Sequence, residues 1–150
     1  MSALCFVDTN LLVYSRDASE PDKQPRAHAW LAALWNFRSG RCSVQVLNEY
    51  YVTVTQKLDL GLTEEEAWKD VQDLFAWRPA AIDDKLMRQA RTVRQRFPLS
   101  WWDALVVAAA QGCGCAFLLT EDLQDGQDFD GTRIVDPFAH QPDDLPTARR

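Results

Sequence analysis

The sequence predicts a single α/β domain built around a central, mainly parallel β-sheet. Short apolar runs that favour strands alternate along the chain with longer segments whose apolar residues recur at three- and four-residue steps, as in amphipathic helices. Such alternation is typical of a parallel sheet, because a parallel neighbour is reached through a crossover helix. A chain of 150 residues fits one compact domain with an ordinary core.

The first half of the chain contains two predicted strands, each followed by helical segments. Continuous apolar character marks the strands, and Gly positions after periodic segments favour helix ends. The predicted elements are a strand at 4–7 ending at Asp8, a loop at 15–25, a helix at 26–38 closed by Gly40, a strand at 42–44, and a helix at 46–58 closed by Gly61.

The second half begins with a capping box, in which Thr63 and Glu66 satisfy each other's backbone at a helix start. The elements after that helix are a strand at 79–82, a helix at 84–97 capped by Asp83, a helix at 101–111 capped by Ser100 and ended by Gly112, a strand at 116–119, and a turn at 130–131 before a strand at 133–135. Residues 1–138 form the predicted domain, and the proline-containing acidic segment 139–150 is expected to be a flexible tail.

Composition limits the class of protein. The apolar content is 47%, yet no apolar run approaches the roughly 20 residues that span a bilayer. The amino terminus lacks the pattern of a secretory signal, so we expect a cytoplasmic protein without membrane contact. The four cysteines lack zinc-site spacing and are expected to be buried thiols. A net charge of −6 disfavours uniform binding to nucleic acid, but the charges are unevenly distributed.

Four acidic residues fall where predicted strands end or predicted helices begin. Asp8 and Asp122 follow strands, Glu49 lies one turn into a helix beside its apolar face, and Asp103 is in the first turn of another helix. In parallel α/β sheets, ligands bind beyond the carboxyl ends of the strands. We therefore expect these four carboxylates to share one site.

Several carboxylates in one pocket raise each other's pKa, and a hard divalent cation relieves that repulsion. Mg²⁺ or Mn²⁺ prefers carboxylate and water oxygens, and such a site suits hydrolysis of phosphodiesters with water as the nucleophile. Each acid also has an ordinary explanation. Asp8 and Asp103 could complement helix amino termini, Glu49 could be half-exposed, and Asp122 could form a turn.

The segments that contain these acids resemble the PIN domain, and most closely the VapC-type toxins of bacterial toxin–antitoxin pairs. The resemblance covers residues 4–138, and the ordered set of four acids makes it specific. It rests on the segments FVDTN at 6–10, NE at 48–49, WDAL at 102–105 and LTEDL at 119–123.

The resemblance implies a three-layer α/β/α sandwich and a metal-dependent endoribonuclease, the toxin of a type II pair. It implies that Asp8, Glu49, Asp103 and Asp122 bind Mg²⁺ or Mn²⁺ and support RNA cleavage. Further implications are a homodimer, a cognate antitoxin and an RNA substrate, together with residues that orient the acids, which are Thr9, Asn10 and Thr120. Asp125 or Asp128 could also contribute.

A basic segment has two interpretations. Lys85, Arg88, Arg91 and Arg94 recur every three residues, so they follow one side of a predicted helix that drifts slowly around its axis. The functional interpretation is that Arg88, Arg91 and Arg94 bind RNA phosphates and lead towards Asp103. The ordinary interpretation is a solvated helix face.

Two other functions compete with the ribonuclease. A haloacid dehalogenase-type phosphatase is prompted by the aspartate after the first strand, but that class requires a second aspartate where Asn10 stands. The other alternative is a non-catalytic RNA- or protein-binding PIN-like module. Retention of all four acids disfavours this alternative.

Overall fold

The computed structural model describes residues 3–57 and 61–146 of the chain. The strands are β1 (Cys5–Val7), β2 (Gly40–Arg41), β3 (Phe117–Leu119), β4 (Asp128–Phe129) and β5 (Thr132–Val135). They form one sheet in the order β2-β1-β3-β5-β4. Neighbouring strands are parallel except for β4, which runs antiparallel to β5. The predicted, mainly parallel sheet is confirmed.

Helices flank this sheet in a three-layer α/β/α arrangement, as predicted. Short 3₁₀ turns follow α4 and the last strand, at Phe75–Trp77 and Pro142–Asp144. The α-helices are α1 (Thr9–Tyr14), α2 (Lys23–Phe37), α3 (Val44–Gln56), α4 (Glu64–Leu74), α5 (Asp84–Arg96) and α6 (Trp101–Gly112). None of the helices in the described ranges is long and apolar enough to cross a membrane.

The strand order creates a crevice between β1 and β3. From β1 the chain passes to β2 on one side, and later returns to β3 on the other side of β1. All three residues of β1 are buried, and Phe6 and Leu118 are fully enclosed. Because the connections leave in opposite directions, the carboxyl ends of β1 and β3 flank the topological switch point, where α/β proteins bind ligands.

Side chains of polar residues start the helices where the sequence predicts them. Thr63 and Glu66 form both hydrogen bonds of the capping box, each 3.1 Å long. Asp83 accepts a hydrogen bond from the Leu86 amide at 2.9 Å, and Ser100 accepts one from the Asp103 amide at 3.1 Å. These local contacts supply partners for backbone N–H groups that the helix leaves unsatisfied.

The boundaries of α2 differ from the prediction. The helix begins at Lys23 rather than at residue 26, because Pro25 occupies the first turn, where its missing N–H needs no partner. The left-handed residue after α2 is Arg38, with φ of 53°, and Gly40 lies in β2 instead. A Cβ at Gly40 would lie 2.5 Å from the Trp77 ring, so close packing requires the glycine.

The predicted strands at 42–44 and 79–82 are wrong. These segments meet in a single parallel bridge between Ser43 and Ala80, and β2 lies two residues earlier than predicted. Ser43 caps α3 by accepting a hydrogen bond from the Val46 amide at 3.2 Å, so the chain turns into a helix too soon for a strand. The predicted end of α3 at residue 58 lies outside the described residues, and Gly61 lies outside the helix.

The segment after β5 packs against α1 and α2 as far as the structure describes it. The Trp30 indole N–H donates to the Pro137 carbonyl at 2.7 Å, and the Phe138 ring stands edge-on to Tyr14 with centroids 5.1 Å apart. A flexible tail at 139–150, and the domain end at residue 138, remain predictions.

Candidate active site

A cleft of about 350 Å³ lies beyond the carboxyl ends of β1 and β3. All four predicted acids line it, and each comes from a different part of the chain. Asp8 immediately precedes α1, Glu49 lies in α3, Asp103 lies in the first turn of α6, and Asp122 follows β3. The structure therefore brings together carboxylates that are as far as 114 positions apart in the numbered sequence.

Asp8 is held by two donors at the start of α1. Its Oδ1 accepts the Thr9 amide at 2.8 Å, and its Oδ2 accepts the Thr120 hydroxyl at 2.9 Å. The pKa of Asp8 is raised to about 6, and burial is the largest cause. The two donors lower the pKa in part, and the charges of Asp122 and Glu49 raise it. The carboxylate is thus an anion in surroundings that disfavour negative charge.

Thr120 connects the two aspartates that follow strands. Its buried hydroxyl donates to Asp8 and accepts a hydrogen bond from the Asp122 amide at 3.1 Å. Asn10 approaches Asp122 from the other side, since its Nδ2 donates to Asp122 Oδ2 at 3.2 Å. Thr120 and Asn10, both predicted to orient the acids, therefore contact them through side-chain hydrogen bonds.

Thr9, the third predicted orienting residue, contacts Glu49. Its hydroxyl donates to Glu49 Oε2 at 2.8 Å, while Gln45 Nε2 donates to Oε1 at 3.2 Å. Sequence reasoning missed Gln45 as a partner of the glutamate. The signal was present, because residues four apart on a helix are neighbours and Gln45 is four positions before Glu49.

Asp103 and Asp122 influence each other electrostatically. Burial raises the pKa of Asp122, and so do the charges of Glu121, Asp103 and Glu49, whereas the Asn10 amide lowers it. Among the described residues, no donor is hydrogen-bonded to the Asp103 carboxylate, which is half-buried in the cleft wall. Electrostatic repulsion therefore acts between Asp122 and acids from other elements of the cleft.

A second polar cluster at the edge of the cleft was not predicted. Tyr14, a cleft residue, donates to Glu121 at 2.8 Å, and Lys23 Nζ lies 2.9 Å from the same carboxylate and 3.1 Å from the Tyr14 hydroxyl. The Glu121 contact raises the pKa of Lys23. Glu121 is about 100 positions from Tyr14 and Lys23 along the chain, so no local pattern indicates the cluster.

Asp125 and Asp128 do not line the cleft. Asp125 accepts the Asp136 amide at 2.9 Å and contacts His140 Nε2 at 2.7 Å. His140 lowers the pKa of Asp125. Asp128 accepts the Gly131 amide at 2.8 Å in the turn between β4 and β5. Both carboxylates are therefore engaged elsewhere.

The predicted arginine strip is divided between two surfaces of α5, and none of its arginines lines the acidic cleft. Arg88 lines a groove with Lys85 and Gln111, whereas Arg91 and Arg94 line a separate hollow beside Trp101. A three-residue step drifts by about 60° around the axis, so the strip does not stay on one surface of the helix.

The donor set of the cleft fits a hard divalent cation. The four side chains offer only carboxylate oxygens, which Mg²⁺ and Mn²⁺ prefer, and the neighbouring charges that raise the pKa of Asp8 and Asp122 would be offset by a cation. As they stand in the described ranges, no three His, Cys, Asp or Glu side chains are close enough to enclose an ion.

An acid-lined cleft at the switch point of a three-layer α/β/α fold defines the class of protein. The PIN domain family matches residues 5–127, and the chain belongs to that family. This membership confirms the resemblance seen in the sequence. No curated protein matches the chain.

Two solved structures have the same fold. One is FitAB bound to an IR36 DNA fragment, 18% identical, with a TM-score of 0.68 and coverage of 90% of this chain and 96% of that chain. The other is VapC20 of Mycobacterium tuberculosis, described as a sarcin-ricin loop cleaving toxin. It is 20% identical, with a TM-score of 0.59 and coverage of 79% of this chain and 91% of that chain.

Proposed function

We propose that this PIN domain is a metal-dependent endoribonuclease that hydrolyses RNA phosphodiester bonds. The observation that carries the proposal is that Asp8, Glu49, Asp103 and Asp122, from four separate elements, line one cleft at the switch point of the sheet. Membership of the PIN family leaves the haloacid dehalogenase-type phosphatase without support.

The four acids would hold Mg²⁺ or Mn²⁺, with Thr9, Asn10 and Thr120 orienting them. When bound, the cation supplies positive charge that favours hydrolysis of a phosphodiester. Thr120 fixes the Asp8 carboxylate, Asn10 fixes Asp122, and Thr9 fixes Glu49 through the hydrogen bonds described above. Positioned carboxylates limit the reorganisation that a site would otherwise undergo when its ligand arrives.

We further propose that the protein is the toxin of a type II toxin–antitoxin pair, acts in the cytoplasm and is inhibited by a cognate antitoxin. Supporting this role are the resemblance to VapC-type toxins and the shared fold with VapC20. A small neighbouring gene for a DNA-binding protein, and rescue of growth by its co-expression, would test this role. A chain that does not inhibit growth when expressed alone would contradict it.

The first prediction concerns the metal. Mg²⁺ or Mn²⁺ at millimolar concentration should raise the melting temperature, because a ligand that binds only the folded chain stabilises it. At a free concentration of 100 times Kd, the gain in the free energy of unfolding is about 2.7 kcal/mol. Differential scanning fluorimetry with a metal titration measures the shift.

The matched variants for this experiment are Asp8→Asn and Asp128→Asn. The first removes a charge from the cleft and should abolish most of the shift, whereas the second lies outside the cleft and should preserve it. Calorimetry that detects no divalent cation bound to the parent protein would contradict the hydrolytic site. A folded protein that binds the metal but cleaves no RNA would favour the non-catalytic module.

The second prediction concerns assembly, for which we propose a homodimer. The sequence contains six tryptophans, a surplus of large rings that would favour an interface, but Trp30 and Trp77 are buried in the core. Trp35 and Trp68 remain exposed by 41% and 49%, and large exposed aromatic side chains favour interfaces. Light scattering should give the mass of a dimer, and a strict monomer at high micromolar concentration would contradict this proposal.

A further inference from the structure

The arginines of α5 differ in whether a carboxylate neutralises them. Arg88 lies 3.6 Å from Asp84, and Arg96 lies 2.8 Å from Asp130. Within the described ranges, Arg91 and Arg94 have no carboxylate partner. The positive charge of α5 that is available to a ligand is therefore concentrated at these two residues and at Lys85.

Arg91 and Arg94 lie together around a hollow of about 310 Å³, which Gln95 and Trp101 also line. Arg94 is held in place there, because its Nε donates to the Leu99 carbonyl at 3.0 Å. The remaining N–H groups of its guanidinium stay available as donors. Two arginines at one exposed hollow provide the fork-shaped donors that recognise phosphate oxygens.

The hollow adjoins the acidic cleft across a single helical turn. Trp101 lines the hollow, whereas Trp102 and Asp103 line the cleft. Successive helical residues point about 100° apart, so Trp102 lies between Trp101 and Asp103 around the helix axis. Its ring is 62% exposed, the largest exposed fraction among the exposed large apolar side chains of the described residues.

We propose that the Arg91–Arg94 hollow and the Trp102 ring form a binding track for single-stranded RNA. The hollow binds a backbone phosphate, and an unpaired base stacks on Trp102, so that the adjoining phosphodiester lies in the acidic cleft. This inference rests on the proposed ribonuclease function and assigns the residues, beyond the four acids, that bind its RNA. Base faces are hidden inside a duplex, which therefore engages the hollow without the ring.

The track excludes Arg88, although the sequence groups all three arginines. Arg88 lines a groove of about 770 Å³ with Lys85 and Gln111 and is paired with Asp84. Removing Arg88 changes the net charge by the same amount as removing Arg91. The Arg88→Ala variant is therefore a matched control for general electrostatic attraction.

The first experiment measures RNA binding without turnover. The probe is a short fluorescent RNA without secondary structure, titrated by anisotropy in Mg²⁺ across a salt series, with every variant built on Asp8→Asn. For a single strand, the slope of log K against log salt falls by about 0.7 for each phosphate that the protein no longer neutralises. Because the hollow binds one phosphate, Arg91→Ala/Arg94→Ala should lower the slope by about 0.7 and weaken binding at low salt. Arg88→Ala should bind the probe like the Asp8→Asn protein on which it is built.

The second experiment tests the ring. Trp102→Ala should weaken binding of the single-stranded probe by roughly tenfold and leave a duplex RNA probe unchanged. Phe37→Ala is the control, because Phe37 is also exposed but ends α2, outside the cleft and the hollow. Equal losses for both probes in the Trp102 variant would overturn the stacking role.

Several outcomes would overturn the track. If Arg88→Ala loses as much RNA affinity as the double variant, the protein attracts RNA by the general positive charge of α5 and not through the hollow. If the double variant binds RNA like its parent, the arginines form a solvated helix face. The single variant Arg91→Ala keeps the test valid if the double variant misfolds. The Arg91 side chain has no ion-pair or hydrogen-bond partner in the described part of the chain, so its removal should not disturb the fold. Because binding is measured without cleavage, failure of the track is distinguishable from failure of the metal-dependent chemistry, which the metal titration tests.

Discussion

Asp8→Asn is expected to lower RNA cleavage by roughly a hundred- to a thousand-fold or more while RNA binding survives. The change keeps the size of the side chain, and the Asn oxygen can still accept a hydrogen bond from Thr9 or Thr120. It removes one of the four charges that would hold the cation. Binding is expected to persist or improve, because a negative charge has left the cleft that the phosphates approach.

Single-turnover cleavage measured beside anisotropy separates the two effects. The control is Asp125→Asn, an equal charge change at a carboxylate that contacts His140 away from the cleft, and it should cleave like the parent. Normal cleavage by Asp8→Asn would remove the nuclease proposal, because the residue at the centre of the acid cluster would then be structural.

The stability of the metal-free protein should depend on pH through Asp8 in the direction opposite to that of an ordinary surface aspartate. Its pKa is raised from 3.8 to about 6 in the folded chain, so the folded state binds this proton more tightly than the unfolded state. The stabilising effect of protonation is full below about pH 4 and is lost as the pH rises through 6. A shift of this size corresponds to about 3 kcal/mol in the free energy of unfolding.

Urea unfolding of the parent and of Asp8→Asn, measured in chelator between pH 4 and 7, isolates this contribution. The parent should lose free energy of unfolding relative to the variant as the pH rises, because Asn carries no charge at either end. Asp125→Asn serves as a contrast, because the pKa of Asp125 is lowered from 3.8 and its stabilising contribution is lost only as the pH falls below that range. A constant difference between parent and Asp8→Asn would contradict the raised pKa.

Features set by neighbouring residues could be predicted from the sequence. The caps at Thr63, Asp83 and Ser100 depend on contacts three positions away, and their helices begin as expected. The buried strands β1 and β3 were recognisable because their apolar runs end at acidic or polar residues. The gathering of four acids followed from one rule, that parallel strands expose their carboxyl ends at a common edge.

Features set by distant contacts could not be predicted. Gly40 is required by the Trp77 ring rather than by a helix end, and its local context did not distinguish the two. The cluster of Tyr14, Lys23 and Glu121 has no local signal because its members come from opposite ends of the chain. The arginine strip divided because regular spacing in sequence does not fix which neighbouring surface each side chain contacts.

The contact between Thr120 and Asp8 also bears on when the cleft forms during synthesis. This contact and that of Asn10 with Asp122 each join residues 112 positions apart, and β1 pairs with β3 only after residue 117 has been made. At about 5–20 residues per second, a ribosome leaves an interval on the order of ten seconds between the two halves. During that interval the growing chain carries Asp8 without Thr120 and Asp122, so the acid cluster is completed only after residue 122 has emerged.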